Sequence, residues 1–415
     1  MGLSPFTLPN GLRVVLAPRK GVPLAAVNLW YAVGSKDERP GHTGFAHLFE
    51  HLMFEGSRDV RDNEHFLMLE RVGGVANGST WLDHTNYYET LDPKHLELAL
   101  FLESNRMGYL LDTLEQKKLD GQREVVKNER RWRVDNRPYG AWDEKLYEMA
   151  FPAGHPYHHP VIGYMEDLDN ATLADVEAFF RSHYTPSNAV LTIAGGFEPR
   201  RARALVERYF GPIPGGKRPK PRPVPGARPA SGAEAVVRDS VALPRLYLLI
   251  HAPAPGEAAY HDAEAAAYFL GDGRGSLLYR ELVMEGRTAS AASAWFLPAE
   301  GVSSLVLCVT GQPGVSLKVL RTAFLRTLEG AGRRPLEAPE TRRARHLNLA
   351  AAVLQEESLT QRADLLSEAS IRFDDPGAAL EQREGRERVS RDSLQAYLRR
   401  ALEQPRFLLG FVPRP

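Results

Sequence analysis

Residues 211–233, GPIPGGKRPKPRPVPGARPASGA, constrain the fold of this chain more than any other stretch. Proline removes backbone donors and fixes φ, and glycine raises the entropic cost of order, so a run this dense supports neither a helix nor a ladder strand. Ile213 and Val224 are almost its only apolar interruptions. The stretch reads as an extended linker. Its lysines and arginines lack the interleaved aromatics of a nucleic-acid surface. A single continuous core is therefore excluded. The expected organisation is a first domain at 1–212, a Pro/Gly-rich linker at 213–232 and a second domain at 233–415.

The two parts show the same coarse order. In the first, 25–33 (AAVNLWYAV), 87–91 and 189–194 (AVLTIA) read as strands, and 93–110 and 199–210 as helices. In the second, 245–252, 304–310 and 407–412 read as strands, and 258–270, 314–328, 342–369 and 392–402 as helices. Strands and helices mix without regular β-α alternation. That predicts an α+β class, with two homologous sandwich domains, each a mixed antiparallel sheet packed by helices. Residue identity between the parts is slight, so only this order argues for duplication.

Composition narrows the function. Lys+Arg and Asp+Glu are both 52, so no net field collects nucleic acid or an anionic membrane. No run of 18 apolar residues predicts a transmembrane helix. Cys308 is the single cysteine, which excludes an intramolecular disulfide and a thiolate metal site. Its apolar neighbours at 305–309 predict an inert strand residue. Residues 12–16 (LRVVL) are strand-like rather than a signal h-region. The expected compartment is the cytoplasm, or the periplasm if a leader has been removed.

His47-Leu48-Phe49-Glu50-His51 carries the chemistry. Residues four apart project from one helix face, so His47 and His51 stack one turn apart with Glu50 beside them. Two imidazoles are ligands for a divalent metal, and a nearby carboxylate is a base for water. Phe45, Leu48, Phe49, Leu52 and Met53 form a separate buried stripe, with Thr43 and Gly56 as expected caps. The plain alternative is a solvated polar face. The stripe argues against it, because the core has no need of these three residues. A catalytic zinc takes three protein ligands. Residues 115–134 read as a charged helix whose carboxylates are Glu115, Asp120, Glu124 and Glu129, and spacing does not choose among them.

The chain resembles a known family, the inverzincin metallopeptidases that include pitrilysin, insulysin and mitochondrial processing peptidase. Leu8-Pro9-Asn10-Gly11-Leu12-Arg13-Val14 resembles the opening strand, and 44–57 the zinc helix. Residues 73–80 (GGVANGST) with Thr85-Asn86-Tyr87-Tyr88 resemble the substrate-edge strand. His155-Pro156-Tyr157, Ile162-Gly163 and 184–188 (YTPSN) are later landmarks in the right order. The resemblance implies two homologous halves, only the first metal-bearing. It also implies one Zn2+ per chain and zinc-dependent endopeptidase activity on extended peptides. Arg123-Glu124-Val125 through Glu129 resembles the family's R-x-V-x-x-x-E run, which implies Glu129 as third ligand beside His47 and His51, with Glu50 as base. Asn77, Gly78 and Ser79 match the residues that take the substrate backbone.

Two departures stand out. A second family glutamate, behind the ligands, falls at Gln122, which removes a negative charge there. In the second half, single-chain members carry an Arg and a Tyr that reach the substrate carbonyl; here Val283 and Ser290 stand in those places. Neither supplies a charge-assisted or phenolic hydrogen bond. The expected assembly is thus a heterodimer with a homologous subunit that lacks the zinc motif and supplies the Arg/Tyr pair. The alternatives are a non-catalytic assembly subunit of the same fold, and a metal module built on His155, His158 and His159.

Overall fold

The computed structural model describes residues 2–226 and 231–414. The chain forms two compact units. The first comprises 1–129, 160–222 and 353–381; the second comprises 130–159, 223–352 and 382–415.

The first unit contains a six-stranded sheet. Its strands are β1 (Ser4–Thr7), β2 (Arg13–Pro18), β3 (Ala25–Tyr31), β4 (Val75–Thr80), β5 (Thr85–Leu91) and β6 (Ala189–Gly195), in the order β1-β2-β6-β3-β5-β4. Only β2 and β6 pair in parallel. Its helices are α1 (Phe45–Leu52), α2 (Glu64–Glu70), α3 (Leu96–Tyr109) and α4 (Gln116–Arg130). In the second unit lies α5 (Trp142–Ala150); α6 (Met165–Asp169), α7 (Leu173–His183) and α8 (Pro199–Phe210) return to the first.

The second sheet holds β7 (Ala233–Asp239), β8 (Arg245–Ala252), β9 (Ala289–Leu297), β10 (Ser303–Gly311) and β11 (Phe407–Pro413), in the order β7-β11-β8-β10-β9. Here β7 and β11 are the parallel pair and the rest are antiparallel. Strand for strand, in order and sense, this is β2-β6-β3-β5-β4 repeated. The duplication is therefore carried by topology. The remaining helices are α9 (Tyr260–Gly271), α10 (Leu317–Arg333), α11 (Ala338–Glu357), α12 (Leu359–Arg372), α13 (Ala378–Glu387) and α14 (Arg391–Glu403).

The expected division into successive domains 1–212 and 233–415 needs correction, because each unit takes a segment from the other part of the chain. The cause is that both faces of each sheet carry apolar side chains that need cover. In β3, Val27, Leu29 and Tyr31 join the large core with α1 and α3, while Trp30 faces the other way. That second face, with Val15, Ala17, Val190 and Ala194, is covered by Ala363 and Leu366 of α12. Burying such side chains stabilises by about 1.5–3 kcal/mol each. The second sheet is treated alike by 130–159: Trp142 stacks on Tyr247 with centroids 4.9 Å apart, and the Arg245 guanidinium lies 3.7 Å over the Tyr139 ring.

Other expectations are refined. The single helix expected at 342–369 is two helices. Ser358 breaks it, its side chain accepting from the Gln361 N–H to cap α12. The linker is free of helix and strand where described, and 227–230 lie outside the described residues. It is partly pinned: Ile213 is buried, and Arg222 Nη1 donates to the Lys36 and Glu38 carbonyls at 2.7 Å each. Cys308 is buried in β10, and burial pushes its thiol up to about 11. No helix among the described residues is long and apolar enough to cross a membrane.

The first core contains one polar cluster. Arg106 pairs with Glu103 and lies 3.4 Å from Glu89, and His65 Nε2 lies 3.4 Å from the same Glu89 oxygen. Burial, then the neighbouring Glu103, drives the Glu89 pKa well up. Burial, then Arg106, drives His65 well down. Arg106 is the cation of this cluster. Arg106→Ala removes that cation and is expected to destabilise the protein by about 3–5 kcal/mol, read as a lowered urea midpoint.

Candidate metal centre and peptide edge

The centre is built on α1. Phe45, Leu48, Phe49, Leu52 and Met53 are all buried, so the opposite face presents His47, Glu50 and His51. The cap differs from expectation. Gly44, at φ 85°, precedes the first turn. Thr43 instead donates its hydroxyl to Asp167 at 2.6 Å. The orphan N–H groups of Gly44 and Ala46 donate to the two carboxylate oxygens of Glu38, at 2.9 and 2.8 Å. A carboxylate at a helix N-terminus satisfies those donors and opposes the helix dipole. Burial nevertheless holds the Glu38 pKa well above the usual carboxylate range. At the other end α1 stops at Leu52, and Gly56, at φ 87°, closes a later turn rather than capping the helix. Gly44 has a second constraint: a Cβ there would meet the Ile162 carbonyl at 2.7 Å.

Glu129, near the end of α4, is the carboxylate of its helix that reaches α1. Its Oε2 lies 3.7 Å from His47 Nε2 and 3.2 Å from His51 Nε2. The three donor atoms all fall within 4.8 Å of one another. His51 is the more open imidazole, its side chain 23% exposed against 10% for His47. Two imidazoles and one carboxylate, converging with one side open, match the donor set of a catalytic divalent metal. Beyond Glu129, α4 gives way to a wider π-type turn, Arg131–Asp135.

Glu50 is oriented by the edge strand. Thr80 Oγ1 donates to Glu50 Oε2 at 2.6 Å. Gly78 packs closely on it: a Cβ there would lie 3.0 Å from Glu50 Cγ and 3.3 Å from its Oε1, and Glu50 would have to shift. Asn77, Gly78 and Ser79 all lie on β4, whose one partner is β5, so its other side is a sheet edge. The Gly78 N–H donates to Asn77 Oδ1 at 2.8 Å. Ser79 Oγ points to the other face and donates to Asn86 Oδ1 at 2.5 Å.

Gln122 donates from Nε2 to Glu55 Oε1 at 2.6 Å. Burial, then Asp62, raises the Glu55 pKa. The charge expected to be absent at 122 is thus partly restored by a carboxyl one turn beyond α1. That pairing, Glu38 and Thr80 were missed in the sequence. Only Thr80 had a signal, as the end of the GST run.

Two further expectations concern other residues. His155 Nε2 lies 3.0 Å from the Pro225 carbonyl and His158 Nδ1 2.8 Å from that of Phe151. Among the described residues neither joins a metal-like cluster, and the only other such group, His65, Glu89 and Glu103, already holds Arg106. Val283 lies in a π-type turn, Tyr279–Glu285, and Ser290 Oγ donates to the Gly311 carbonyl at 3.0 Å.

Comparison with known proteins agrees with this architecture. A family profile described as insulinase (peptidase family M16) matches 13–161, and one described as the peptidase M16 inactive domain matches 170–348. The Zinc protease PqqE of Helicobacter pylori is 33% identical over 334 residues, covering 78% of this chain and 73% of its own. This chain belongs to the M16 peptidase family. The beta subunit of the mitochondrial processing peptidase of Blastocladiella emersonii is 28% identical over 211 residues, half of this chain and 44% of its own. The crystal structure of a protease from Helicobacter pylori superposes with a TM-score of 0.91 at 26% identity, over 99% of both chains.

For an M16 chain the metal reading has a direct check. His51→Ala and Glu129→Gln are expected to fall well below one zinc per chain after dialysis, and His155→Ala to keep it. Zinc retained by His51→Ala would move the site elsewhere.

Proposed function

We propose that this chain is a zinc-dependent endopeptidase that cleaves extended peptides, and that it works as the catalytic subunit of a two-subunit enzyme. The observation that carries this reading is the convergence of His47, His51 and Glu129 within 4.8 Å, next to Glu50 and an open sheet edge. His47, His51 and Glu129 would hold the zinc, which when bound supplies Lewis acidity toward a carbonyl and toward water.

The peptide adds to β4 as a further strand, its backbone pairing with the exposed edge at 77–79. A strand that takes the Gly78 N–H must displace the Asn77 amide that now accepts it. Gly78 lets that backbone come close. Thr80 holds Oε2 of Glu50 and so orients the carboxylate. Glu50 removes a proton from the attacking water and passes it to the leaving amine, so the carboxylate is regenerated and the proton balance closes.

The absent Arg/Tyr pair motivates the second subunit. Val283 has no donor, and Ser290 donates within its own sheet. One relative is by name a subunit of a processing peptidase. A non-catalytic assembly role accounts less well for an intact donor set, and the profile described as inactive matches 170–348, outside that set.

Glu50→Gln is expected to keep fold and zinc while turnover of a quenched peptide library drops about 10²–10⁴-fold. Unchanged turnover removes Glu50 as base. The zinc-loaded chain alone is expected to be nearly silent, and to gain activity with a homologous subunit lacking the zinc motif. Full activity alone removes the two-subunit part of the proposal.

A further inference from the structure

A carboxylate outside the metal centre organises the peptide edge. Asp364 lies on α12, the helix that covers the outer face of the first sheet. Its Oδ1 accepts from Trp30 Nε1 at 2.6 Å, from Asn86 Nδ2 at 2.9 Å and, longer, from Asn28 Nδ2 at 3.4 Å. Trp30, Asn86 and Asn28 are all buried. The chain of bonds continues outward, because Asn86 Oδ1 accepts from Ser79 Oγ on β4. An ionised carboxylate accepts only, so it selects one of the two orientations of the Asn86 amide: nitrogen toward α12, oxygen toward Ser79. The Ser79 proton is then committed to Asn86, and its oxygen is left as an acceptor.

The same helix holds the turn between β4 and β5. Trp30, bonded to Asp364, stacks on His84 with centroids 3.7 Å apart at 12°. Arg372, two turns beyond Asp364, lies 3.5 Å from Asp83, which also pairs with Lys36. Thr360 and Thr90 hydroxyls lie 3.0 Å apart. Among the described residues the titratable groups that act on Asp364 are Glu368 on its own helix and Tyr88 on β5; His84, behind Trp30, is held well below the usual imidazole range by burial, then by Arg372.

We propose that Asp364 is a positioning residue for peptide binding: through Asn86 it fixes the place and hydrogen-bond polarity of Ser79, and with it the edge strand β4. The inference rests on β4 being the substrate edge, and it assigns part of that edge's order to a helix far away in sequence.

Burial, opposed by the Trp30 and Asn28 bonds, raises the Asp364 pKa from 3.8 to about 6. A carboxyl whose folded pKa is raised contributes stability that is full below the unfolded pKa and is lost as pH rises through about 6. Above pH 7 the charged form is therefore held at a cost to global stability. Asp364→Asn removes that cost but allows the amide to present a donor to Asn86.

The test is amide hydrogen exchange at pH 8 on the wild type, Asp364→Asn, Ser79→Ala and the double variant. Each single variant is expected to speed exchange at 75–80 about five- to tenfold, as expected for loss of one hydrogen bond. Exchange in β6 is expected to stay unchanged, with no fall in melting temperature for Asp364→Asn. The double variant is expected to be no faster than either single, because both break one chain of bonds. In active preparations Asp364→Asn is expected to raise KM for long peptides by the same factor, with kcat and zinc content kept. Unchanged exchange at 75–80, additive effects, or faster exchange throughout the sheet with a lowered melting temperature would each overturn the proposal. Exchange needs no turnover. A coupled pair in a chain that never cleaves peptide would sink the peptidase reading and leave the coupling standing.

Discussion

Each sheet in this protein carries buried apolar side chains on both faces, and the rest of the structure follows from that. β6 is buried along its whole length, and β3 sends Leu29 and Tyr31 one way and Trp30 the other. A single layer of helices would leave one face in water. The chain covers the second face of the first sheet with α12, and that of the second sheet with the segment around α5. These two covers come from reciprocal places: α12 meets β3 and β6, and α5 meets their topological equivalents β8 and β11. Hydrophobic burial is non-directional, so it does not require the covering helix to be near in sequence.

The metal centre depends on a more local balance. α1 has only eight residues, too short to hold its own first turn in water. Its apolar stripe docks it on the core, and the Glu38 carboxylate satisfies the two N–H groups that the backbone leaves orphaned. The edge strand is fitted to α1 from the other side, where Gly78 gives Glu50 room and Thr80 holds one of its oxygens. The candidate metal ligands and the candidate peptide edge are thus registered to each other through Glu50.

How much was legible depends on the range of each interaction. The pairing of His47, Glu50 and His51 was readable because helical spacing is a local rule. Glu129 was not readable from spacing, since Glu115, Asp120 and Glu124 share its helix; only the resemblance singled it out, and the fold brings it within 3.2 Å of His51. Most strands were found from apolar runs. β1, β7 and β9 were not, and β4 came only from the resemblance: all four are sheet edges whose short, polar or small-residue sequences, such as ASAASAWFL, lack that signal. The helix cap was misplaced because Thr43 looked sufficient locally, while the actual cap comes from a loop six residues before Gly44.

By itself the sequence determined the class of fold, the irregular stretch at 211–233, the helical spacing of His47, Glu50 and His51, and the presence of a single cysteine. All of these rest on periodicity, backbone chemistry or residue counts that neighbouring positions carry. Tertiary structure alone decided which segments complete each unit, which carboxylate caps α1, that Glu55 stands against Gln122, and that Asp364 reaches Ser79 through Asn86. The Asn86–Asp364 bond joins residues 278 positions apart, and the Asn28–Asp364 bond residues 336 apart. Nothing in a local pattern specifies them, because they form only after burial of both sheet faces has brought the elements together.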